Sequence, residues 1–311
     1  MVRGLLRMKM HEYFSGLLTD SVNINPDRLR QLEDHEKALT DYLQSEDTFA
    51  PLIERVSRQG SWAHRTIIRP QPGCEFDADL VIHMRPQRSW SRDPRRYPEA
   101  LYAAMQRSPR YRDKVKLKTR CIRVTYAGDC HVDLVPHVYM PGLGMWGQGA
   151  IINRQTNQFE RAEPESFATW VRERDQTAGG HLRTSLRLLK YVRDYQGTFN
   201  VPSVILTVLV GSRVSSLSAF CGAYSDLPTA FRSLVDGTDQ WLQGQWGVPQ
   251  VKDPSCPSVD FSHRLDKASF TRFRDQFHGY ADIVRAAYKS DDRWGSIQLW
   301  QKVFGSAFAP S

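Results

Sequence analysis

The sequence predicts an α+β fold, with a mixed β-sheet in a first lobe and helices in a second lobe. Short β-type runs bounded by turn residues are confined to the chain before residue 162, and helical periodicity dominates after Pro164. The chain has 311 residues, which is enough for two packed lobes. We therefore expect a core lobe at 1–162, a helical lobe at 163–311, and a ligand-binding cleft between them.

The composition is that of an ordinary globular protein, with 41% hydrophobic and 24% charged residues. No apolar run approaches the ~20 residues that cross a bilayer. The first residues, MVRGLLRMKMHEYF, have charges inside their short apolar part and no small-residue cleavage site, so they are a poor match to a signal peptide. The five cysteines are odd in number and form no CxxC pair, which argues against a disulfide framework or a zinc site. We therefore expect a reduced, cytoplasmic protein without a membrane partner.

The first half of the chain alternates between helical and strand-like segments. Residues 26–58 have helical spacing and predict a long helix followed by a short one. The next signals predict a turn at Gly60-Ser61, strands over 66–69 and 76–84, a helix over 97–107, a hairpin formed by 115–126 and 130–140 with its turn at Gly128, and a strand pair within 150–161. After Pro164 five segments have helical spacing, and each predicts a helix.

Two acidic residues stand at the head of one predicted strand, in the stretch EFDADLVIHM at 75–84. Side chains alternate in a strand, so Asp77 and Asp79 point to the same face. Like charges this close repel each other, and a divalent cation such as Mg²⁺, which prefers oxygen ligands, relieves that repulsion. The alternative from this stretch alone is a strand whose first residues are simply exposed to solvent.

A third carboxylate, Asp133, lies in the later strand-like stretch HVDLVP. If the two strands are neighbours in the sheet, Asp133 completes a cluster with Asp77 and Asp79. Three carboxylates on one sheet face are costly unless cations neutralise them. Two Mg²⁺ ions, with Mn²⁺ as a possible substitute, would do so and would serve in-line phosphoryl transfer.

The stretch QGSWAHRT at 59–66 precedes the first acidic strand. Gly60 allows backbone N–H groups to approach a phosphate closely, and Ser61 adds a hydroxyl donor. A Gly-Ser pair alone is most often an ordinary turn. The pair becomes specific only through the order of the motifs along the chain, in which Gly60-Ser61 comes first, Asp77 and Asp79 follow, and Asp133 comes last.

In this order, GSWAHRT, EFDADLVI and HVDLVP resemble the motifs of the polymerase-β-like nucleotidyltransferases. More narrowly, the chain is similar to bacterial cyclic-oligonucleotide synthases of the cGAS/DncV-like nucleotidyltransferase (CD-NTase) family. The resemblance implies that Asp77, Asp79 and Asp133 bind metal and that Gly60 and Ser61 grip phosphate. In the helical lobe, SLRLLKYVRDY and NVPSVIL resemble family segments, which implies that Lys190 and Ser203 contact the triphosphate.

For Lys190, the residues themselves add an argument that does not depend on the resemblance. Leu182, Leu186 and Leu189 mark the core stripe of its predicted helix, so we expect Lys190 on another stripe, facing away from the core. Ser203 follows Pro202 at a predicted helix start, where free N–H groups favour anions. A solvated helix face and a simple capping serine are the alternatives.

The resemblance also implies an activity and its partners. Nucleoside triphosphates, with ATP among them, would be joined into a cyclic di- or trinucleotide with release of pyrophosphate. The product would act as a second messenger on a separate effector protein in antiphage (CBASS) signalling. A close variant is a transferase that adds nucleotides to RNA or to a small molecule.

A basic segment leaves a different class of function open. Residues 85–123 hold thirteen arginines and lysines against three acidic residues, and the whole chain has a formal net charge of +8. Such a segment favours a polyanionic partner, either nucleotides or a nucleic acid that acts as an activator. The alternatives are a solvated surface and a non-enzymatic nucleic-acid-binding module with structural carboxylates.

Overall fold

The computed structural model describes residues 2–71, 76–127, 130–140 and 148–310. The chain forms two compact units. The sheet unit comprises Asn25–Ala63 and Pro72–Ala168, and the helical unit comprises Met1–Ile24, His64–Gln71 and Thr169–Ser311. None of the described helices combines the length and apolar character that crossing a bilayer requires.

The described residues contain eleven α-helices. They are α1 (Val2–Leu17), α2 (Pro26–Ser45), α3 (Gly60–Ala63), α4 (Arg96–Arg107), α5 (Pro164–Thr177), α6 (His181–Gln196), α7 (Ser203–Gly211), α8 (Ser216–Phe220), α9 (Leu227–Gln243), α10 (Lys267–Lys289) and α11 (Arg293–Phe304). Several begin at capping side chains that satisfy free backbone N–H groups. For example, Asn25 accepts from the N–H of Asp27 at the start of α2, and Asp266 accepts from that of Ser269 at the start of α10.

The same ranges contain nine β-strands. They are β1 (Ile53–Gln59), β2 (Phe76–Met84), β3 (Val115–Leu117), β4 (Ile122–Tyr126), β5 (Cys130–Met140), β6 (Gln148–Asn153), β7 (Gln158–Arg161), β8 (Lys252–Asp253) and β9 (Cys256–Asp260). The first seven form one sheet in the order β1-β2-β5-β4-β3, with β6 on β5 and β7 on β6. The pairing of β2 with β5 is parallel and the others are antiparallel, so the sheet is mixed.

Apolar burial explains why β2 and β5 lie in the middle of the sheet. Leu80 and Ile82 of β2 and Val132 and Leu134 of β5 are completely buried. A continuous apolar run is typical of strands with neighbours on both sides. The two central strands therefore form a rigid platform for the polar side chains that interrupt them.

Aromatic packing forms a large part of the core of the helical unit. The ring of Phe14 meets those of Trp300, Phe304 and Phe308 edge-on, with centroid separations of 4.9, 5.6 and 5.2 Å. Edge-to-face contacts of this kind stabilise a core beyond the simple burial of area. They connect α1 with α11 and with the chain that follows it.

Most of the predicted elements are confirmed. The long helix is α2, the strand over 76–84 is β2, the helix over 97–107 is α4, and the strand pair within 150–161 is β6 and β7. The five helices predicted after Pro164 are α5, α6, α7, α9 and α10. The hairpin pairing of β4 with β5 is also confirmed, although its turn at Gly128 lies outside the described residues.

Three predictions are wrong in detail. The second helix predicted before residue 58 is strand β1, which pairs antiparallel with β2, so Gly60 follows a strand instead of a helix. The predicted strand over 66–69 is not a strand, and its described pairing is an isolated bridge between Asn23 and Ile68. The predicted strand over 115–126 is two strands, β3 and β4, that pair with each other. The lobe division at 162/163 stays a prediction.

Candidate functional site

A row of four polar side chains crosses the centre of the sheet. Asp79 of β2 lies directly opposite Asp133 of β5, and Gln59 of β1 lies on the other side of Asp79. Arg123 of β4 lies opposite Asp133 on its outer side. Residues that are directly opposite in a sheet project from the same face. The expectation that Asp133 stands on a neighbouring strand is therefore confirmed.

Asp77 stands one step along the same face as Asp79, because side chains alternate along β2. Its side chain is 53% exposed, whereas that of Asp133 is 12% exposed. The three carboxylates therefore differ in their access to water. Asp77 is the open one, and Asp133 is largely withdrawn into the sheet.

The Asp79 carboxyl has a strongly perturbed pKa. Burial, followed by the neighbouring charges of Asp133 and Asp77, raises the pKa of Asp79 to about 7, while Arg123 acts in the opposite direction. A carboxylate that is costly to ionise gains much from a cation. Perturbed groups of this kind concentrate at functional sites.

Gly60 lies against the Asp79 carboxylate at the first residue of α3. Its φ is +61°, a left-handed conformation that glycine adopts without strain. A Cβ at this position would lie 2.6 Å from Oδ2 of Asp79. Only a residue without a side chain therefore allows the backbone to approach Asp79 this closely, and Ser61 follows it in the same short helix.

Arg123 neutralises part of the negative charge in the row. Its Nε donates to Oδ1 of Asp133 and its Nη2 to Oδ2, both at 2.8 Å. The same Nη2 lies 3.6 Å from Oδ1 of Asp77. One guanidinium thus contacts two of the three carboxylates.

The residues present fit a divalent cation in their chemistry. Asp77, Asp79 and Asp133 offer carboxylate oxygens on one face, the donor type that Mg²⁺ prefers. Within the described ranges, however, no three histidine, cysteine, aspartate or glutamate side chains are gathered in a geometry that could hold a metal ion as they stand. In the row, Asp133 has both of its oxygens directed at Arg123.

Lys190 is not on an open helix face, so this part of the prediction is wrong. It is only 3% exposed, and its Nζ donates to the backbone oxygen and to Oγ1 of Thr66, both at 3.0 Å. Burial, and then the charge of Arg193, lowers the pKa of Lys190 to about 7. Residues on several sides of α6 are buried, so the leucine stripe does not mark its only covered face.

Ser203 is the first residue of α7, as predicted, and follows Pro202. Its Oγ accepts from Nη1 of Arg193 at 3.0 Å. Arg193 also donates through Nη1 to the backbone oxygen of Val201. Lys190, Arg193 and Ser203 thus form one polar neighbourhood in the helical unit.

Sequence reasoning missed Arg123 and Arg193. A signal for Arg123 was present, because a hairpin turn centred at Gly128 places position 123 opposite position 133. No comparable signal pointed to Arg193, whose contact with Ser203 depends on how α6 and α7 pack. Arg123 lies outside the motifs that carry the resemblance, whereas Arg193 lies within SLRLLKYVRDY, where only Lys190 is predicted to contact the triphosphate.

A second polar pair lies further along the same two strands. His83 of β2 stands opposite His137 of β5, with their ring centroids 4.9 Å apart. Nε2 of His83 lies 2.8 Å from Oγ of Ser57, and Nε2 of His137 lies 3.2 Å from the backbone oxygen of Ala162. Burial lowers the pKa of both histidines, that of His83 to about 4.

Comparisons with known proteins agree with this architecture. A family model described as the Second Messenger Oligonucleotide or Dinucleotide Synthetase domain matches residues 8–175. A cyclic AMP-AMP-AMP synthase of Escherichia coli (strain MS 115-1) is 22% identical over 322 residues, covering 96% of this chain and 97% of the relative. A c-di-GMP synthase of Roseivirga ehrenbergii is 28% identical over 120 residues, covering 38% of this chain and 32% of that relative.

The fold is similar to that of E. coli MS115-1 CdnC, solved with ATP. The TM-score is 0.74 at 20% identity, covering 96% of this chain and 98% of that one. The predicted α+β class with a polymerase-β-like core is thereby confirmed. Because the family model matches more than half of the residues, the chain belongs to the second messenger oligonucleotide or dinucleotide synthetase family and is a CD-NTase nucleotidyltransferase.

Proposed function

We propose that the protein is a Mg²⁺-dependent synthase that joins nucleoside triphosphates into a cyclic di- or trinucleotide and releases pyrophosphate. The observation that carries this proposal is the placement of Asp79 and Asp133 side by side, with Asp77 on the same face. The names of the curated relatives include both a cyclic dinucleotide and a cyclic trinucleotide, so both ring sizes belong to the proposal.

Asp77, Asp79 and Asp133 would hold two Mg²⁺ ions, with Mn²⁺ as a possible substitute. Divalent ions held in this way lower the pKa of an attacking hydroxyl and neutralise charge on a triphosphate. Asp79 would bind in its ionised form, so a proton leaves its carboxyl as the cation enters. Asp77, the most exposed of the three, is open to the incoming nucleotide.

Two further groups would hold the substrate. Gly60 and Ser61 would grip phosphate through backbone N–H groups and a hydroxyl, because the chain at Gly60 has no side chain to block the approach to Asp79. Lys190 and Ser203 would contact the triphosphate, with Arg193 adding a second cation to the same neighbourhood. Charge-assisted hydrogen bonds from lysine and arginine to phosphate oxygens are stronger than those between neutral groups.

The proposed substrates include ATP, which accompanies the structurally similar E. coli CdnC. The cyclic product would leave the enzyme and act on a separate effector protein. The protein would then act in cytoplasmic antiphage signalling of the CBASS type. A nucleic acid that switches the enzyme on remains part of the proposal.

One observation favours a second candidate, a transferase or binding module that acts on nucleic acid. Lys114, Lys116 and Lys118 are exposed along the edge strand β3 and its ends. Lysines spaced two apart on a strand share a face and could track a phosphate backbone. Against a purely electrostatic role, other members of the basic segment are paired with acids, as Arg107 is with Glu46.

The test is incubation of the purified protein with Mg²⁺ and the four α-³²P-labelled triphosphates, followed by phosphatase treatment. We expect labelled product that resists phosphatase and that is absent with the double variant Asp77→Ala/Asp79→Ala. Omission of one triphosphate at a time then identifies the bases. No product in Mg²⁺ or Mn²⁺, even with added RNA, together with salt-sensitive RNA binding that survives Asp77→Ala, would favour the binding module.

A further inference from the structure

Arg123 occupies an unusual place for a salt-bridging arginine. It stands in the row of Asp79 and Asp133, on the outer side of Asp133, and its side chain is 24% exposed. Strand pairing alone brings it there, because β4 runs antiparallel to β5 with Arg123 directly opposite Asp133. It is therefore part of the platform itself and does not depend on a mobile loop.

The contact engages both oxygens of a proposed metal ligand. The two parallel hydrogen bonds to Asp133 form a fork that matches the plane of a carboxylate. The guanidinium also approaches Asp77, at 3.6 Å. Arg123 thus supplies one fixed positive charge to a group of carboxylates that otherwise repel each other.

We propose that Arg123 is a built-in cation that positions Asp133 and competes with the divalent ion for it. This inference rests on the proposed function, because it concerns the same carboxylates. Arg123 would hold the carboxylates together in the metal-free enzyme and would release at least one oxygen of Asp133 when a divalent ion binds. Arg123 is a positioning residue, since it acts through Asp133.

Charge balance explains why the arrangement would affect metal binding. A fixed positive charge beside the carboxylates lowers their attraction for a second cation, and the fork must open before both oxygens of Asp133 can turn to a metal. A nucleoside triphosphate brings its own negative charge, which offsets the lowered attraction of the carboxylates for the divalent ion. The free enzyme would therefore bind divalent ions weakly, and metal and nucleotide would enter together.

If the salt bridge had only a structural role, its removal would leave Mn²⁺ affinity unchanged. Arg120 also forms a two-pronged contact, donating from Nε and Nη2 to Glu160 at 2.5 and 2.9 Å. Glu160 is not a proposed metal ligand. Substitution of Arg120 therefore removes a bond of the same type from the same unit, and Arg120→Gln is the matched control for Arg123→Gln.

The experiment measures Mn²⁺ binding to the nucleotide-free protein by electron paramagnetic resonance of the unbound ion. The proteins are the full chain as wild type, Arg123→Gln, Arg123→Lys, Arg120→Gln and Asp79→Asn. We expect Arg123→Gln to bind Mn²⁺ about tenfold more tightly than wild type, because a nearby positive charge is gone. Arg123→Lys keeps the positive charge but loses the two parallel hydrogen bonds, so its gain in Mn²⁺ affinity is smaller. Arg120→Gln is expected to bind Mn²⁺ with the affinity of wild type.

Melting curves with and without Mn²⁺ give a second reading that also checks folding. Without metal, Arg123→Gln leaves the carboxylates unbalanced and melts at a lower temperature, and Mn²⁺ raises its melting temperature more than that of wild type. If the Gln variant does not fold, the Lys variant carries the comparison. Adding a non-hydrolysable nucleoside triphosphate is expected to narrow the difference in Mn²⁺ affinity between wild type and Arg123→Gln.

Two results would overturn the inference. Unchanged or weaker Mn²⁺ binding by the folded Arg123 variants means that Arg123 does not compete with the ion. If wild type and variants all fail to bind Mn²⁺ with or without nucleotide, the proposed metal-dependent function fails as well. The first result, obtained while wild type binds Mn²⁺ and Asp79→Asn does not, leaves the proposed function intact, so the inference alone fails.

Discussion

Two polar pairs occupy equivalent positions on the same two strands but have opposite characters. Asp79 and Asp133 face each other across β2 and β5, and four residues further on His83 and His137 do the same. In the first pair, two acids lie beside Asp77, and burial and like charge raise the pKa of Asp79 to about 7. In the second, burial lowers the pKa of both rings, which favours their neutral forms.

The difference shows how polar residues in one sheet can be divided between function and structure. The histidines contact each other, and Ser57 and the backbone of Ala162 lie within hydrogen-bonding distance of their rings. Hydrogen-bonded neutral groups stabilise a fold. The acids retain unbalanced charge, which costs stability in the metal-free protein and is available for a cation. We therefore expect the first pair to control activity and the second to control stability.

The largest effect is expected from Asp79→Asn. Product formation should fall by about a thousandfold or more because a proposed metal ligand is lost. In the metal-free protein at pH 8, the melting temperature should instead rise, because the substitution removes a buried charge next to Asp133. Nucleotide-joining assays and melting curves on the same preparation check both expectations. A loss of both activity and stability would contradict the division between the two pairs.

The next effect concerns the backbone beside Asp79. Gly60→Ala should reduce activity by roughly tenfold to a hundredfold, because the new methyl group collides with Oδ2 of Asp79. Gly197→Ala is the matched control, since Gly197 has the same φ of +61° with nothing within 4 Å of an added Cβ. Both variants should lose about 1 kcal/mol of stability from left-handed strain. Equal activity of the two variants would exclude close approach as the role of Gly60.

His83→Gln should produce the reverse of the Asp79 result. We expect the free energy of unfolding to fall by about 1–3 kcal/mol, because the ring contact with His137 and the hydrogen bond with Ser57 are lost. Activity under conditions where the variant is folded should stay within about threefold of wild type. Urea unfolding followed by activity assays tests this. If the variant is as stable as wild type but inactive, His83 takes part in the reaction and its role is not structural.

The smallest effect is a difference in pH dependence. Unfolded histidine binds protons below about pH 6.5, whereas folded His83 does so only near pH 4, so stability from this group is complete above pH 6.5 and is lost as pH falls towards 4. Folded Asp79 binds its proton near pH 7 and the unfolded residue near 3.8, so its contribution is lost as pH rises through 7. Melting temperatures of wild type, His83→Gln and Asp79→Asn are therefore compared from pH 5 to pH 8. The melting temperature of wild type minus that of His83→Gln should rise with pH, and that of wild type minus Asp79→Asn should fall. If neither difference changes with pH, the opposite pKa shifts of His83 and Asp79 are wrong.

The sequence alone is sufficient to predict the two central strands and the acidic residues that they carry. Asp79 is followed by the apolar run 80–82 and Asp133 by the apolar run 134–136, so the sequence predicts two strands that bring their acids to one sheet. Strand β1 was missed because its pairing with β2 shifts register between Ile53 and Arg55. That irregularity interrupts the alternation that identifies a strand.

Other parts of the site depend on tertiary packing that periodicity does not report. The leucine stripe of α6 placed Lys190 away from the core, but elements distant in sequence cover it, among them the segment that contains Thr66. Arg123 is one of thirteen basic residues in the segment 85–123, and composition alone does not distinguish it from the others. Only the register of β4 on β5 separates it from the others, and that register followed from the position of the hairpin turn.

The most direct test of the central claim is mass spectrometry of the product made from the four nucleoside triphosphates and Mg²⁺. Wild type would be compared with Asp77→Asn, Asp79→Asn and Asp133→Asn, with Asp113→Asn as control because that side chain is 88% exposed. The account predicts a cyclic oligonucleotide without a terminal phosphate from wild type and the control, and none from the three variants. Product from any of the three at the wild-type rate would contradict the claim that these carboxylates carry the reaction.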